Sequence, residues 1–138
     1  MIGTFYHSID TKGRLFIPAR LRDDLGEVFY VTLSLETCLT AYSNEMWEKA
    51  IEKLKTMPQA AQIELRPLFS HATKCELDGQ GRILLPQTLR DLVGLKKNVT
   101  VVGTGLYVQF WDTDTYRPIE ERETSPGNIA VVIREHSF

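Results

Sequence analysis

Asp10-Thr11-Lys12-Gly13-Arg14-Leu15-Phe16-Ile17-Pro18 returns later in the chain as Asp78-Gly79-Gln80-Gly81-Arg82-Ile83-Leu84-Leu85-Pro86. The likeness runs on, because Leu21, Arg22, Asp23 and Gly26 recur as Leu89, Arg90, Asp91 and Gly94. A repeat of this size is one compact supersecondary unit rather than a solenoid turn. Its turn chemistry is specific: a type I turn favours Asp at its first position and Gly at its fourth. Asp10 and Gly13 stand there, as do Asp78 and Gly81. The apolar triplet behind each Arg is strand-like, and Pro18 and Pro86 end those strands and can open short helices.

At 138 residues the chain is one ordinary domain or two very small ones. Half of it would bury too little to be stable alone, so the two repeats are expected to share a core. Apolar residues make up 43% and charged residues 25%, the composition of a soluble globular protein. No apolar run is long enough to span a bilayer. Met1-Ile2-Gly3-Thr4 has no basic region and leads into no long apolar stretch, so no secretory signal is expected. Cys38 and Cys75 stand alone, without Cys-x-x-Cys spacing, which suits a reducing cytoplasm.

Outward from the repeat, Phe5 to Ile9 and Arg14 to Ile17 read as strands either side of the turn. Ala19 to Leu25 reads as two helical turns, with Gly26 just past the end. Two further strands follow, from Val28 to Ser34 and from Cys38 to Tyr42. Ser43 or Asn44 can cap a helix in which Met46, Trp47, Ala50, Ile51 and Leu54 recur at helical spacing. Its other face, with Glu45, Glu48, Lys49, Glu52, Lys53 and Lys55, mixes both signs and reads as a solvated face. Helix resumes at Gln59, and Pro67 predicts a kink or an end near Arg66. The second copy repeats the order from Ala72 to Trp111, and Asp112 or Thr113 is positioned to cap a last helix. Tyr42 aligns with Trp111 and Trp47 with Tyr116, so each aromatic pair is expected to anchor a helix to its sheet. After Ser125-Pro126-Gly127, the run from Ile129 to Ile133 has β-type composition and is expected to be a strand.

The net charge is −2 and the pI about 5.9, which taken alone argues against a nucleic-acid partner. The distribution is uneven. Lys12, Arg14, Arg20 and Arg22 face only Asp10 in the first twenty-two residues, and Lys74, Arg82, Arg90, Lys96 and Lys97 enrich the second copy. The excess acid lies in Asp112, Asp114, Glu120, Glu121 and Glu123. An anion-binding face is therefore permitted.

Within the motif, Asp and Gly are explained by the turn, but the Arg is not. Nothing in a type I turn requires a cation after its Gly, and a strand of Leu, Phe and Ile disfavours one. Arg14 either pairs with Asp10 or Asp78 to fix the hairpin, or points outward, where its fork of donors suits phosphate or the O6/N7 edge of guanine. Arg22 and Arg90 add charge from the short helices.

Asp-x-x-Gly-Arg, an apolar triplet, Pro and Leu-Arg together resemble the swapped-hairpin module of the AbrB and MazE transcription factors. Two copies in one chain, joined by a helical linker ending in Ser70-His71-Ala72, resemble the MraZ family over about residues 1–122. The resemblance implies an α+β fold of two tandem AbrB-like swapped-hairpin β modules that share a pseudo-twofold β core with flanking helices. The modules would span 1–50 and 72–124, with the helical linker at 51–71 and a tail at 125–138. It further implies a cytoplasmic, nucleoid-associated regulator of the division and cell-wall gene cluster. Such a protein binds short direct repeats in promoter DNA as a ring of subunits, with Arg14 and Arg82 on the DNA. Lys12, Arg20, Arg22 and Arg90 complete the candidate contacts. Pro126-Gly127 and the β-type run depart from the helical tail usual in the family.

Other classes fare worse. Two related halves each carrying an Asp invite comparison with aspartic proteases, but those loops read Asp-Thr-Gly or Asp-Ser-Gly, and here Lys12 or Gln80 intervenes. No other carboxylate, base and nucleophile set is visible, so no enzyme is expected. His7, Cys38, His71, Cys75 and His136 show no doubled ligand spacing, so neither metal nor other cofactor is expected. An antitoxin-like protein-interaction module is the alternative reading. Lys12 at one turn tip has only Gln80 opposite it, so the first half is expected to bind DNA harder.

Overall fold

The computed structural model describes residues 1–138. Strand β1 (Ile2–Ser8) leads through the Asp10 turn to the short strand β2 (Arg14–Phe16), helix α1 (Ala19–Leu25), and strands β3 (Val28–Leu33) and β4 (Leu39–Ser43). Helices α2 (Asn44–Lys55), α3 (Gln59–Glu64) and α4 (Arg66–Ser70) follow. The second copy gives β5 (Thr73–Glu76), β6 (Arg82–Leu84), α5 (Gln87–Leu92), β7 (Asn98–Thr104) and β8 (Val108–Asp112). Helices α6 (Thr113–Glu123) and α7 (Pro126–Glu135) end the chain.

The strands flanking each turn do not pair with one another. Instead β1 runs antiparallel to β7, β3 to β5, and β2 to β6, each pair joining one repeat to the other. The large sheet has the order β1-β7-β8-β4-β3-β5, symmetric about the β8–β4 junction, where Thr40 lies opposite Gln109. Backbone bonds obey the same symmetry. Ile17 N–H donates to Gly81 O at 2.9 Å and Leu85 N–H to Gly13 O at 2.9 Å. Ile9 N–H reaches Lys97 O, and its counterpart Leu77 N–H reaches Glu27 O.

This interleaving gives the single core that the size of the chain requires. Leu15, Ile17, Leu21 and Leu25 from the first repeat meet Ile83, Leu85, Leu89 and Leu95 from the second. They pack on the sheet face formed by Phe29, Val31, Leu39, Ala41, Val99, Val101, Val108 and Phe110. Strand alternation sends Tyr30, Tyr42 and Trp111 to the opposite face. There Tyr42 meets Trp47 at 6.2 Å between ring centroids and Trp111 meets Tyr116 at 5.0 Å, so each aromatic pair does tie a helix to the sheet.

Local signals set most boundaries. Gly26 closes α1 at φ +83°, its N–H bonded to Arg22 O, and Ser43 Oγ caps α2 by accepting from Met46 N. The linker breaks at Leu65, two residues before Pro67. Two expectations fail. Asp112 makes no side-chain cap on α6; its Oδ1 accepts from Lys96 N at 3.0 Å instead. Residues 129–133 are not a strand but the middle of α7, because Ser125 Oγ accepts from Asn128 N and Pro126 fills the first helical turn. That start signal overrides the β-branched composition of Val131, Val132 and Ile133.

Candidate nucleic-acid interface

The two Asp-x-x-Gly-Arg turns converge on the β2–β6 ribbon. Leu15 lies opposite Ile83 on its inner side, both essentially without solvent exposure. Directly opposed residues share a face, so Arg14 with its partner Leu84, and Phe16 with its partner Arg82, lie on the outer side. Both arginines are thus carried on one exposed face of a two-stranded ribbon whose position the core fixes.

Each turn then orients its own arginine. Asp10 Oδ1 accepts from Lys12 N at 3.0 Å and Arg14 N at 2.9 Å, while Oδ2 accepts from Arg14 Nε at 2.7 Å. Asp78 repeats the pattern with Gln80 N, Arg82 N and Arg82 Nε at 2.8, 2.9 and 2.9 Å. Backbone donation from Arg14 and Arg82, aided by the remaining bonds, holds both carboxyls below their ordinary value of 3.8. Each carboxylate is engaged by its own turn and its own arginine rather than sharing a proton with the other aspartate.

The two readings of the arginine prove compatible. Nε is used in the ion pair, while the terminal nitrogens make no hydrogen bond within the chain; the side chains are 33% and 26% exposed. Arg82 Nη1 also stands 3.9 Å from Asp10 Oδ2, so the motifs meet across the pseudo-axis. Lys12, Arg14, Glu76, Asp78, Arg82 and Leu84 line a shallow groove on this face.

The other candidates sit elsewhere. Arg20 is exposed, its guanidinium 6.0 Å from the Phe5 ring centroid. Arg22 and Arg90 are half-buried and lie on the turns: Arg22 over Gly81, Arg90 over Gly13, with Arg90 Nε donating to Leu85 O at 3.0 Å. Each roofs the turn of the opposite repeat, an arrangement with no trace in the local sequence. Lys96 and Lys97 are not among the sequence candidates, yet with Arg90 they line a groove beside Asp10 and Thr11. The strand-end bonds make Glu27 the counterpart of Lys97, so the second turn lacks this basic flank.

Cys38 and Cys75 are buried, and desolvation pushes their thiols up to about 11 and about 12. Both therefore remain protonated and unreactive. No three His, Cys, Asp or Glu side chains cluster as a metal site, and no helix is long and apolar enough to cross a membrane.

Comparison with known proteins agrees with the doubled architecture. The family model described as "MraZ protein, putative antitoxin-like" matches residues 1–66 and again 68–131. The chain belongs to the MraZ family. It is 44% identical over 124 residues to the "Transcriptional regulator MraZ" of Heliobacterium modesticaldum (strain ATCC 51547 / Ice1), a match covering 88% of this chain and 87% of the relative. The division of the MraZ match near residue 67 falls in α4, between the two copies of the motif.

Proposed function

We propose that the chain is a DNA-binding transcriptional regulator that reads promoter DNA with the outer face of the β2–β6 ribbon. The observation that carries this reading is the pairing of Arg14 and Arg82 on that face, each pinned through Nε with its terminal nitrogens making no hydrogen bond within the chain. A two-stranded ribbon fits the major groove, and an arginine fork there can take guanine O6 and N7 or a phosphate. The name of the Heliobacterium relative supports the same class. Lys12 tips the ribbon, with Lys96 and Lys97 beside the first turn, while Arg22 and Arg90 act by holding the turns in place. A slightly acidic chain can bind DNA this way because only the presented face must be basic.

The family resemblance extends the proposal to a cytoplasmic, nucleoid-associated ring of subunits on short direct repeats before the division and cell-wall gene cluster. A single chain presents few cations, so multiple engagement of repeated boxes supplies affinity through effective concentration. Electrophoretic retardation of that promoter fragment, against a scrambled fragment of equal length, tests the reading. Preferential retardation of the promoter supports it, and failure to retard either fragment overturns it.

A further inference from the structure

Behind the sheet, on the face turned away from the β2–β6 ribbon, α2 and α4 enclose an apolar hollow of about 320 Å³. Strand alternation puts Thr32 and Tyr42 on this face, and Trp47, Ala50, Leu68 and Phe69 close the sides. A second hollow of about 190 Å³ shares Ala50, Lys53, Leu68 and Phe69 with the first and continues it along α2. The walls are set by packing within the chain. Trp47 stacks on Tyr30 at 5.1 Å between ring centroids and meets Phe69 at 5.3 Å, while Thr32 Oγ1 donates to Leu68 O and ties α4 to the sheet. A preformed apolar concavity with a few charged groups at its rim is the usual form of a small-molecule site.

The rim carries charge of one sign. Lys49 and Lys53, one turn apart on α2, are the only charged side chains that line the two hollows. Lys49 shares its ammonium with Glu45 at 3.4 Å, an exposed pair of little strength. Lys53 makes no ion pair, since Glu52 is engaged by Lys55 at 2.9 Å. The twelve residues of α2 give the trough a length of about 18 Å, the scale of an extended acyl chain. A slot of this shape and charge selects an occupant that is apolar along its length and anionic at one end.

We infer that the α2–α4 trough is a binding site for an apolar-chain carboxylate of the fatty-acid class. Its chain lies against Trp47, Leu68 and Phe69, and its head group meets Lys53. The site goes beyond the proposed function and is separate from the DNA face. The sheet stands between the two, so an occupant leaves Arg14 and Arg82 clear.

Titration of dodecanoate, below its micellar concentration, into the full-length chain without DNA tests this. Calorimetry reads the affinity, and tryptophan emission reports on Trp47 in the trough wall. The wild type should bind one molecule per chain, saturably and with a change in emission. Dodecanol and dodecylammonium keep the chain but lose or reverse the charge, and should bind about fivefold more weakly or worse. Ala50→Trp, which fills the trough, should abolish binding. Lys53→Glu should weaken dodecanoate by about fivefold or more and favour dodecylammonium instead. Absence of saturable binding, an alcohol held as tightly as the acid, or undiminished binding by Ala50→Trp overturns the inference. Should Ala50→Trp misfold by circular dichroism, Lys53→Glu decides at an exposed position: an unchanged preference for the acid over the amine overturns it.

Discussion

The guanidinium of Arg22 occupies the space that a side chain at Gly81 would need: a Cβ built there stands 2.6 Å from Arg22 Nη1. Arg90 does the same to Gly13, at 2.8 Å. Each glycine is thus constrained twice, by a left-handed φ of +75° or +84° and by an arginine from the other repeat. Arg22 is further confined by the Phe16 ring, 5.2 Å from its guanidinium carbon, and its buried Nε has no hydrogen-bond partner.

Gly81→Ala should therefore cost more than Gly94→Ala. Both residues have positive φ, but nothing lies within 4 Å of a Cβ at Gly94. The left-handed conformation alone costs roughly 1–2 kcal/mol for an L-residue, and Gly81→Ala must also displace Arg22. Thermal melts should show a drop of roughly 4–8 °C for Gly94→Ala and a larger one for Gly81→Ala. Adding Arg22→Ala to Gly81→Ala should cost less than the sum of the single changes. Equal melts for the two alanine variants would show that Arg22 yields freely.

On the proposed reading, Arg14→Ala should remove DNA binding without unfolding the chain. Asp10 Oδ1 keeps its two backbone bonds in this variant, so the turn survives. One arginine–base contact is worth roughly 1–3 kcal/mol, about fivefold to 150-fold in affinity, and repeated engagement multiplies the loss. Retardation should vanish while circular dichroism stays unchanged. Arg14→Lys should restore much of the salt dependence but little of the affinity, since a point charge lacks the planar fork. Wild-type binding should fall steeply with salt; a flat titration would argue against phosphate contacts.

Acid should loosen the same turns. Asp10 and Asp78 are held below the ordinary carboxyl value, chiefly by backbone donation from Arg14 and Arg82. A depressed folded-state value means that the unfolded chain binds more protons in acid. The contribution is therefore complete above the ordinary carboxyl value near 3.8 and is lost as pH falls through the lowered values. Melting curves from neutral to acid pH should show stability falling below about pH 4, with a shallower fall in Asp10→Asn/Asp78→Asn. An unchanged slope in that double variant would place the acid sensitivity elsewhere.

What can be read without coordinates is what acts locally. Asp10 and Gly13 announce their turn, Pro67 its break and Ser43 its cap, because each acts on its own neighbours. The exchange of strands between repeats is implied by the family resemblance alone and is not legible in local signals, since β1 carries no mark that distinguishes β7 from β2 as its partner. The same holds for Arg22 and Arg90. Their eight-residue offset from Arg14 and Arg82 is plain in the sequence, but their seats on Gly81 and Gly13 exist only after the exchange. The tail looks like a strand when its β-branched composition is weighed above Ser125 and Pro126, yet the start signal decides the element. Arg14 stands between two roles in the sequence because its Nε and its terminal nitrogens can serve both at once.

On the proposed reading, the chain should have a preferred direction along DNA. The ribbon is nearly twofold, but its tips are not: Lys12 faces Gln80 across the pseudo-axis, and Lys97 at the first turn corresponds to Glu27 at the second. A symmetric reader has no preference between a box and its inverted copy, whereas this one should, with its first half gripping harder. In the proposed ring, where neighbouring subunits would present the same tip in the same sense, that preference suits boxes arranged as direct repeats. Gln80→Lys with Glu27→Lys should even out the two tips. In retardation assays the wild type should favour direct repeats over inverted ones. The double variant should bind both nearly alike and with a steeper salt dependence, by about one unit of slope for each phosphate newly neutralised. If the wild type already binds both arrangements equally, the tips are not what orients it.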